Sequence, residues 1–126
     1  MSVPQLIYEM FMSPGTPQGN YERMAAAFGH AMIGVLLAAA LLRPMARRPW
    51  LASGLALAIY LPWEIGQLLI AGSSLADSAI DAGAVLAGAL IAASLWTRRL
   101  PLVLVLAPVL VLLGRAIPEK QRGGDE

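Results

Sequence analysis

Four long apolar stretches dominate the chain and predict its architecture. They cover residues 24–42, 50–71, 74–96 and 100–117. Each is close to the roughly 20 residues that a helix needs to cross the ~30 Å hydrocarbon core of a bilayer. The stretches are too long for the strands of a membrane barrel, and they lack the alternation of such strands. The pattern therefore predicts an all-α integral membrane protein, built as a bundle of four transmembrane helices.

The fourth stretch and the chain ends refine this architecture. Pro108 lies in the middle of the fourth stretch, whose length is near the minimum for a span, so three spans are the alternative. Near the N-terminus, apolar residues recur at the spacing of one helical face and predict a short interfacial helix within residues 1–20. These residues are Val3, Leu6, Ile7, Met10 and Phe11. Residues 21–117 then form the transmembrane bundle, and residues 118–126 form a polar C-terminal tail.

The composition agrees with a lipid environment. Hydrophobic residues make up 58% of the chain and charged residues only 13%, whereas soluble domains contain about 25% charged residues. The chain has no cysteine, which excludes disulfides and thiolate metal sites. Its net charge is +1, and without a polybasic run we expect no nucleic-acid partner and no strong binding to anionic lipid.

The connections between the stretches predict the orientation of the chain. The second connection, Gly72-Ser73-Ser74, has no charge, whereas the first and third are basic. Their basic residues are Arg43, Arg47, Arg48, Arg98 and Arg99. Because cytoplasmic loops collect Lys and Arg, we expect a multi-pass protein of the bacterial inner membrane with both termini outside. Trp50 and Trp96 then fall in an aromatic belt on the cytoplasmic side.

Four carboxyl or imidazole side chains lie inside the first three predicted spans: His30, Glu64, Asp77 and Asp81. Such residues cost about 2.5–3.5 kcal/mol each on insertion scales, so they usually mark a site or a buried pair. Counted from the outer helix ends at 1.5 Å per residue, they lie at similar depths of roughly 5–10 Å. Gln67 shares a helical face with Glu64. The predicted ligand-binding residues of an outward-facing polar pocket are therefore His30, Glu64, Gln67, Asp77 and Asp81.

Helical spacing predicts the surroundings of this pocket. Asp81 begins a stripe of small residues, Ala84, Gly88 and Ala92, of the kind that lets membrane helices approach closely. The Asp81 face should therefore point into the bundle, where a contact with His30 is plausible. Pro62 removes a backbone donor two residues before Glu64, and a kink there would make room for water or a headgroup.

Each polar residue also has a purely structural interpretation. His30 is the kind of side chain that serves as a hydrogen-bond donor between helices. Glu64 and Gln67 are compatible with polar contacts that hold helices together. Asp77 is shallow enough to be a capping or first-turn acid of its helix.

The order of these residues resembles the VanZ-like membrane proteins, a family named for a teicoplanin-resistance gene product whose biochemical activity is not established. The resemblance covers about residues 24–96. It rests on the early histidine in Phe28-Gly29-His30-Ala31-Met32, on Glu-x-x-Gln in Trp63-Glu64-Ile65-Gly66-Gln67, and on Asp81 followed by Gly88. Two positions depart from the family pattern. No Arg follows Glu-x-x-Gln, which removes the obvious counter-ion of the carboxylates, and Val85 stands where the family commonly has Asn.

Three classes of function are compatible with these observations. The first is a VanZ-like protein of the cell envelope whose polar pocket binds a lipid headgroup, a drug or an ion. The second is an interaction protein, either an accessory subunit of a larger membrane complex or a phage-type holin. The third is an intramembrane enzyme with a metal on His30, Glu64 and Asp81, which lacks a paired motif such as H-E-x-x-H. We favour the first, with membrane lipids as partners and without a cofactor.

Overall fold

The computed structural model describes residues 2–5, 20–72 and 74–116. Four α-helices account for most of them, and residues 3–5 are also helical. The helices are α1 (Asn20–Leu42), α2 (Pro49–Gly66), α3 (Leu75–Trp96) and α4 (Leu100–Ala116), and a π-helical turn, Gln67–Ala71, extends α2. No strand occurs in these three ranges. The prediction of an all-α chain is therefore confirmed for the described residues.

The helices match the predicted apolar stretches closely. Helix α1 begins four residues before the predicted residue 24, and the other bounds differ by at most one residue. Three helical segments are long and apolar enough to cross a membrane: Glu22–Leu42, Pro49–Ile70 and Leu75–Trp96. Helix α4 is apolar but has only 17 residues. Most of the predicted interfacial helix and the whole predicted tail lie outside the described residues.

Helix α3 is the centre of the structure. It packs against each of the other three helices, and α1 also packs against α2 and α4. In the most apolar 18-residue stretch of each helix, half of the residues of α3 are buried inside the protein, compared with 28% for α1 and 22% for α2. The predicted stripe of small residues accounts for this position, because Ala84, Gly88 and Ala92 are all buried.

Helices α1 and α3 approach each other at backbone distance. A Cβ atom added to Gly88 would lie 2.6 Å from the carbonyl carbon of Ala31, and one added to Gly34 would lie 2.8 Å from that of Val85. The two glycines therefore allow the helices to pack without intervening side chains. Alanines fill the remaining space along the core: Ala38, Ala52, Ala56, Ala89 and Ala92.

Helix α2 is joined to α3 by a buried hydroxyl group. The Ser53 hydroxyl donates to the Ala89 carbonyl across the interface, at 3.0 Å, and lies 3.2 Å from the Pro49 carbonyl of its own helix. The side chain is fully buried. Away from water, such a bond between helices fixes their relative position.

Short turns reverse the chain between helices. Gly72 ends the π-helical turn in the left-handed region, with φ 75°, where glycine carries no steric penalty. Arg98 adopts φ 58° between α3 and α4, where the Arg99 amide donates to the Ser94 carbonyl at 2.8 Å. These turns make successive helices antiparallel.

The glycine contact between α1 and α3 generates a prediction. Gly88→Val should lower the free energy of unfolding by about 1–3 kcal/mol or more, because the backbone of Ala31 cannot withdraw without separating the helices. The thermal unfolding midpoint of the detergent-solubilised protein measures this change. Gly54→Val is the matched control, since nothing lies within 4 Å of a Cβ at Gly54. Equal midpoints for the two variants would contradict the proposed role of the contact.

Candidate functional site

Polar side chains from three helices meet near one end of the structure. His30 lies in the first half of α1, Tyr60 and Glu64 lie near the end of α2, and Asp81 lies in the first half of α3. Because successive helices are antiparallel, these positions fall at the same level. We refer to His30, Tyr60, Glu64 and Asp81 as the polar cluster.

His30 and Asp81 link α1 to α3 within the polar cluster. The imidazole Nε2 lies 3.5 Å from Asp81 Oδ2, and both side chains are about three-quarters buried. The predicted contact between the two residues is therefore present. The close approach of Gly88 to Ala31, the neighbour of His30, brings the two side chains together.

The contact of the other imidazole nitrogen, Nδ1, shows which ring atom carries hydrogen. Nδ1 of His30 lies 2.8 Å from the Ala26 carbonyl, which can only accept a hydrogen bond. Nδ1 therefore carries a hydrogen, and Nε2 faces Asp81. This arrangement fits either a neutral imidazole beside a protonated Asp81 or an imidazolium beside an aspartate. In both cases one proton lies between the two side chains.

Glu64 is the most enclosed ionisable group of the polar cluster. Its exposed fraction is 3% and that of Tyr60 is 5%. The Tyr60 hydroxyl, one turn earlier on α2, donates to Glu64 Oε2. The other carboxylate oxygen, Oε1, is buried and has no hydrogen-bond partner among the described residues. An unpartnered buried acceptor is costly, and Oε1 is the one oxygen of this carboxyl group that lacks a donor among the described residues.

Tyr60 connects the two halves of the polar cluster. Its ring meets the His30 ring edge to face, with centroids 6.3 Å apart and planes at 81°. Together with its bond to Glu64, this places the phenol between the histidine and the carboxylate. Tyr60 is not among the site residues predicted from the sequence. Its position four residues before Glu64, on the same helical face, was the available signal.

The remaining predicted site residues border the polar cluster. Asp77 lies in the first turn of α3, and its backbone amide donates to the Ser74 hydroxyl. This location agrees with the structural interpretation of Asp77 as a first-turn acid. Asp77 lies four residues before Asp81 on the same helical face. Gln67 is half-buried and begins the π-helical turn. The ligand-binding role of all five residues stays a prediction.

The irregular part of α2 lies after Glu64 rather than at Pro62. The α-helix continues through Pro62 to Gly66, and the π-helical turn follows directly. Short π-helical segments occur frequently at functional sites. In this chain the segment starts three residues after the buried carboxylate.

The positions of these side chains also concern the alternative of an intramembrane metalloenzyme. Among the described residues, no group of three or more His, Asp or Glu side chains is placed to hold one metal ion. His30, Glu64 and Asp81 share a region without converging on a common point. The geometry therefore gives no support to a catalytic zinc site on these three residues.

The Tyr60 bond generates a prediction about stability. Tyr60→Phe should lower the free energy of unfolding by about 1–3 kcal/mol, because both oxygens of Glu64 would then be buried without a donor. Thermal unfolding in detergent measures the effect. Ile59→Val is the control, since it changes an exposed residue of the same helix. A Tyr60→Phe variant as stable as Ile59→Val would show that the phenol does not support the carboxylate.

The bond from His30 to Ala26 predicts an NMR result. The chain contains a single histidine, so ¹⁵N spectra of histidine-labelled protein, prepared without a histidine tag, report this ring alone. We expect Nδ1 to carry a hydrogen in the wild type and in both variants. The Nε2 resonance should move in Asp81→Asn but not in Glu22→Gln. A neutral ring with hydrogen on Nε2 only would contradict the assigned tautomer.

Comparisons with protein-family models, curated proteins and solved structures found no match for this chain. The resemblance to the VanZ-like proteins therefore rests on the sequence motifs around His30, Glu64 and Asp81.

Proposed function

We propose that this chain is a VanZ-like membrane protein of the bacterial cell envelope, and that its polar cluster binds a small cationic group from the outer side. Such a group is the ammonium of a lipid headgroup, the amine of a drug or a free cation. The observation that carries the proposal is Glu64 Oε1, a buried carboxylate oxygen without a hydrogen-bond partner in the described part of the chain. The chemistry that satisfies it is an N–H donor or a cation.

The charge balance supports a cationic ligand. Three carboxyl side chains, Glu64, Asp77 and Asp81, lie in this region, and within the polar cluster His30 is the side chain that can carry a positive charge. An anion would meet uncompensated carboxylates, whereas a cation would replace the counter-ion that the missing family arginine would provide. The 3% exposure of Glu64 favours an ion or a terminal ammonium over a bulky drug.

The distribution of arginines supports the outward orientation of the site. The loops that contain Arg43, Arg47, Arg48, Arg98 and Arg99 lie together at the opposite end from the polar cluster, because Arg99 lies over the Trp50 ring. By the positive-inside rule that end faces the cytoplasm. The polar cluster then faces the periplasm or exterior, and both termini lie outside.

The resemblance to the VanZ-like family is consistent with one shared site. Its three sequence motifs contribute His30, Glu64 and Asp81, and each motif lies on a different helix. The three side chains nevertheless belong to one polar cluster. This shared location supports a common role for motifs that are far apart in the sequence.

The test is purification in mild detergent followed by mass spectrometry of co-purified lipids, ions and proteins, with binding of ethanolamine and monovalent cations measured by calorimetry. We expect an amine or cation to be retained by the wild type and lost in Glu64→Gln and Asp81→Asn, because both substitutions remove an anionic oxygen. Glu22→Gln, an exposed acid outside the polar cluster, should behave as wild type.

Two outcomes would contradict the proposal. If Glu64→Gln and Asp81→Asn retained the same amines and cations as the wild type, the polar cluster would be structural. Recovery of a fixed larger complex, without such a ligand, would instead favour the accessory subunit and make the buried acids interhelical contacts. Formation of large membrane lesions on induced expression would favour the holin.

A further inference from the structure

The first and third loops form a basic surface that neither loop forms alone. The expectation of no strong binding to anionic lipid is based on runs of basic residues along the sequence, and it does not apply to a surface assembled from two loops. The Arg99 guanidinium lies 5.9 Å from the centroid of the Trp50 ring, and the Trp96 indole N–H donates to the Ala46 carbonyl at 3.4 Å. We call the surface formed by the five arginines of these loops the arginine end; its members are Arg43, Arg47, Arg48, Arg98 and Arg99. All five side chains are exposed.

No acidic residue of the described chain neutralises the arginine end. The acidic residues in the described ranges are Glu22, Glu64, Asp77 and Asp81, and all four lie in the half of their helix that is remote from it. The arginine end therefore keeps a charge of +5, counted from its five side chains. Such a cluster beside a membrane attracts anionic lipid headgroups.

An apolar groove begins next to the arginine end. It lies between α1 and α3 and has a volume of about 350 Å³. Its walls are formed by Val35, Ala39, Leu42, Ala92, Leu95 and Trp96. Leu42 directly precedes Arg43, and Trp96 is two residues before Arg98. This open apolar groove thus adjoins the arginine end.

We propose that the arginine end and this groove together bind one acidic phospholipid. The phosphate accepts hydrogen bonds from guanidinium groups, which match phosphate oxygens in a two-pronged geometry. One acyl chain lies in the apolar groove between α1 and α3. A zwitterionic lipid would offer the same chain but would bring its own cation to a surface without anions, so the charge complementarity favours the acidic lipid.

This lipid site is separate from the polar cluster. His30 and Leu42 are twelve residues apart on α1, which corresponds to about 18 Å along a helix. The two sites share the requirement that the chain lies in a membrane, but they share no residue. A variant that loses binding at one site can therefore still be tested for binding at the other.

The experiment is native mass spectrometry of protein reconstituted into nanodiscs that contain phosphatidylglycerol and phosphatidylcholine, and then released from them. The wild type should retain phosphatidylglycerol preferentially. Arg43→Gln combined with Arg98→Gln should lower this preference about 25-fold, at roughly five-fold for each arginine. Ala39→Phe should also reduce retention, because it fills the groove and leaves every charge in place.

Two control variants accompany these measurements. Arg115→Gln removes one exposed arginine from the opposite end of the structure, and it should retain phosphatidylglycerol as the wild type does. Glu64→Gln should do the same even if it has lost its amine or cation ligand. The elution profile of each variant in size-exclusion chromatography verifies its fold.

Three results would overturn the inference. The first is unchanged lipid preference in the double arginine variant. The second is equal loss in Arg115→Gln, which would indicate general charge attraction. The third is full retention of phosphatidylglycerol by Ala39→Phe, which would show that no acyl chain lies in the groove. Recovery of a second protein chain crosslinked at position 39 would show the same.

Discussion

The backbone contact between α1 and α3 is the constraint on which the rest of the structure depends. Gly34 and Gly88 lie so close to the opposite backbone that neither position has room for a side chain. This contact sets the distance between the two helices. It also places His30 beside Asp81, because His30 precedes Ala31 at the contact and Asp81 lies one turn before Val85.

The two ends of the structure have opposite chemical character. The polar cluster at one end buries carboxyl groups around a single histidine, and the arginine end carries cationic groups without acidic partners among the described residues. In water such a separation of charge would be screened within about 10 Å. In the proposed membrane orientation each end would meet its own aqueous phase and headgroup layer, so the separation of charge provides two distinct surfaces.

Glu64 lowers the stability of the fold, because it is a buried carboxyl group whose hydrogen bonds are incomplete. A leucine at this position would avoid the cost of burying a carboxylate, and the Tyr60 hydroxyl satisfies only one of the two oxygens. The neighbouring π-helical turn adds a second departure from regular structure. Violations of ordinary packing rules that occur together are typical of functional sites, which is why the proposed function centres on this carboxylate.

The sequence by itself determined the helices and their bounds to within a few residues, because helix formation by long apolar stretches depends on neighbouring residues along the chain. It also identified His30, Glu64 and Asp81, since an ionisable residue in an apolar stretch is conspicuous without coordinates. The tertiary structure alone decided the role of Tyr60, the unpartnered oxygen of Glu64 and the assembly of five arginines from two loops. Those features depend on which helix faces meet and at what distance, and that is settled by packing between residues far apart in the sequence.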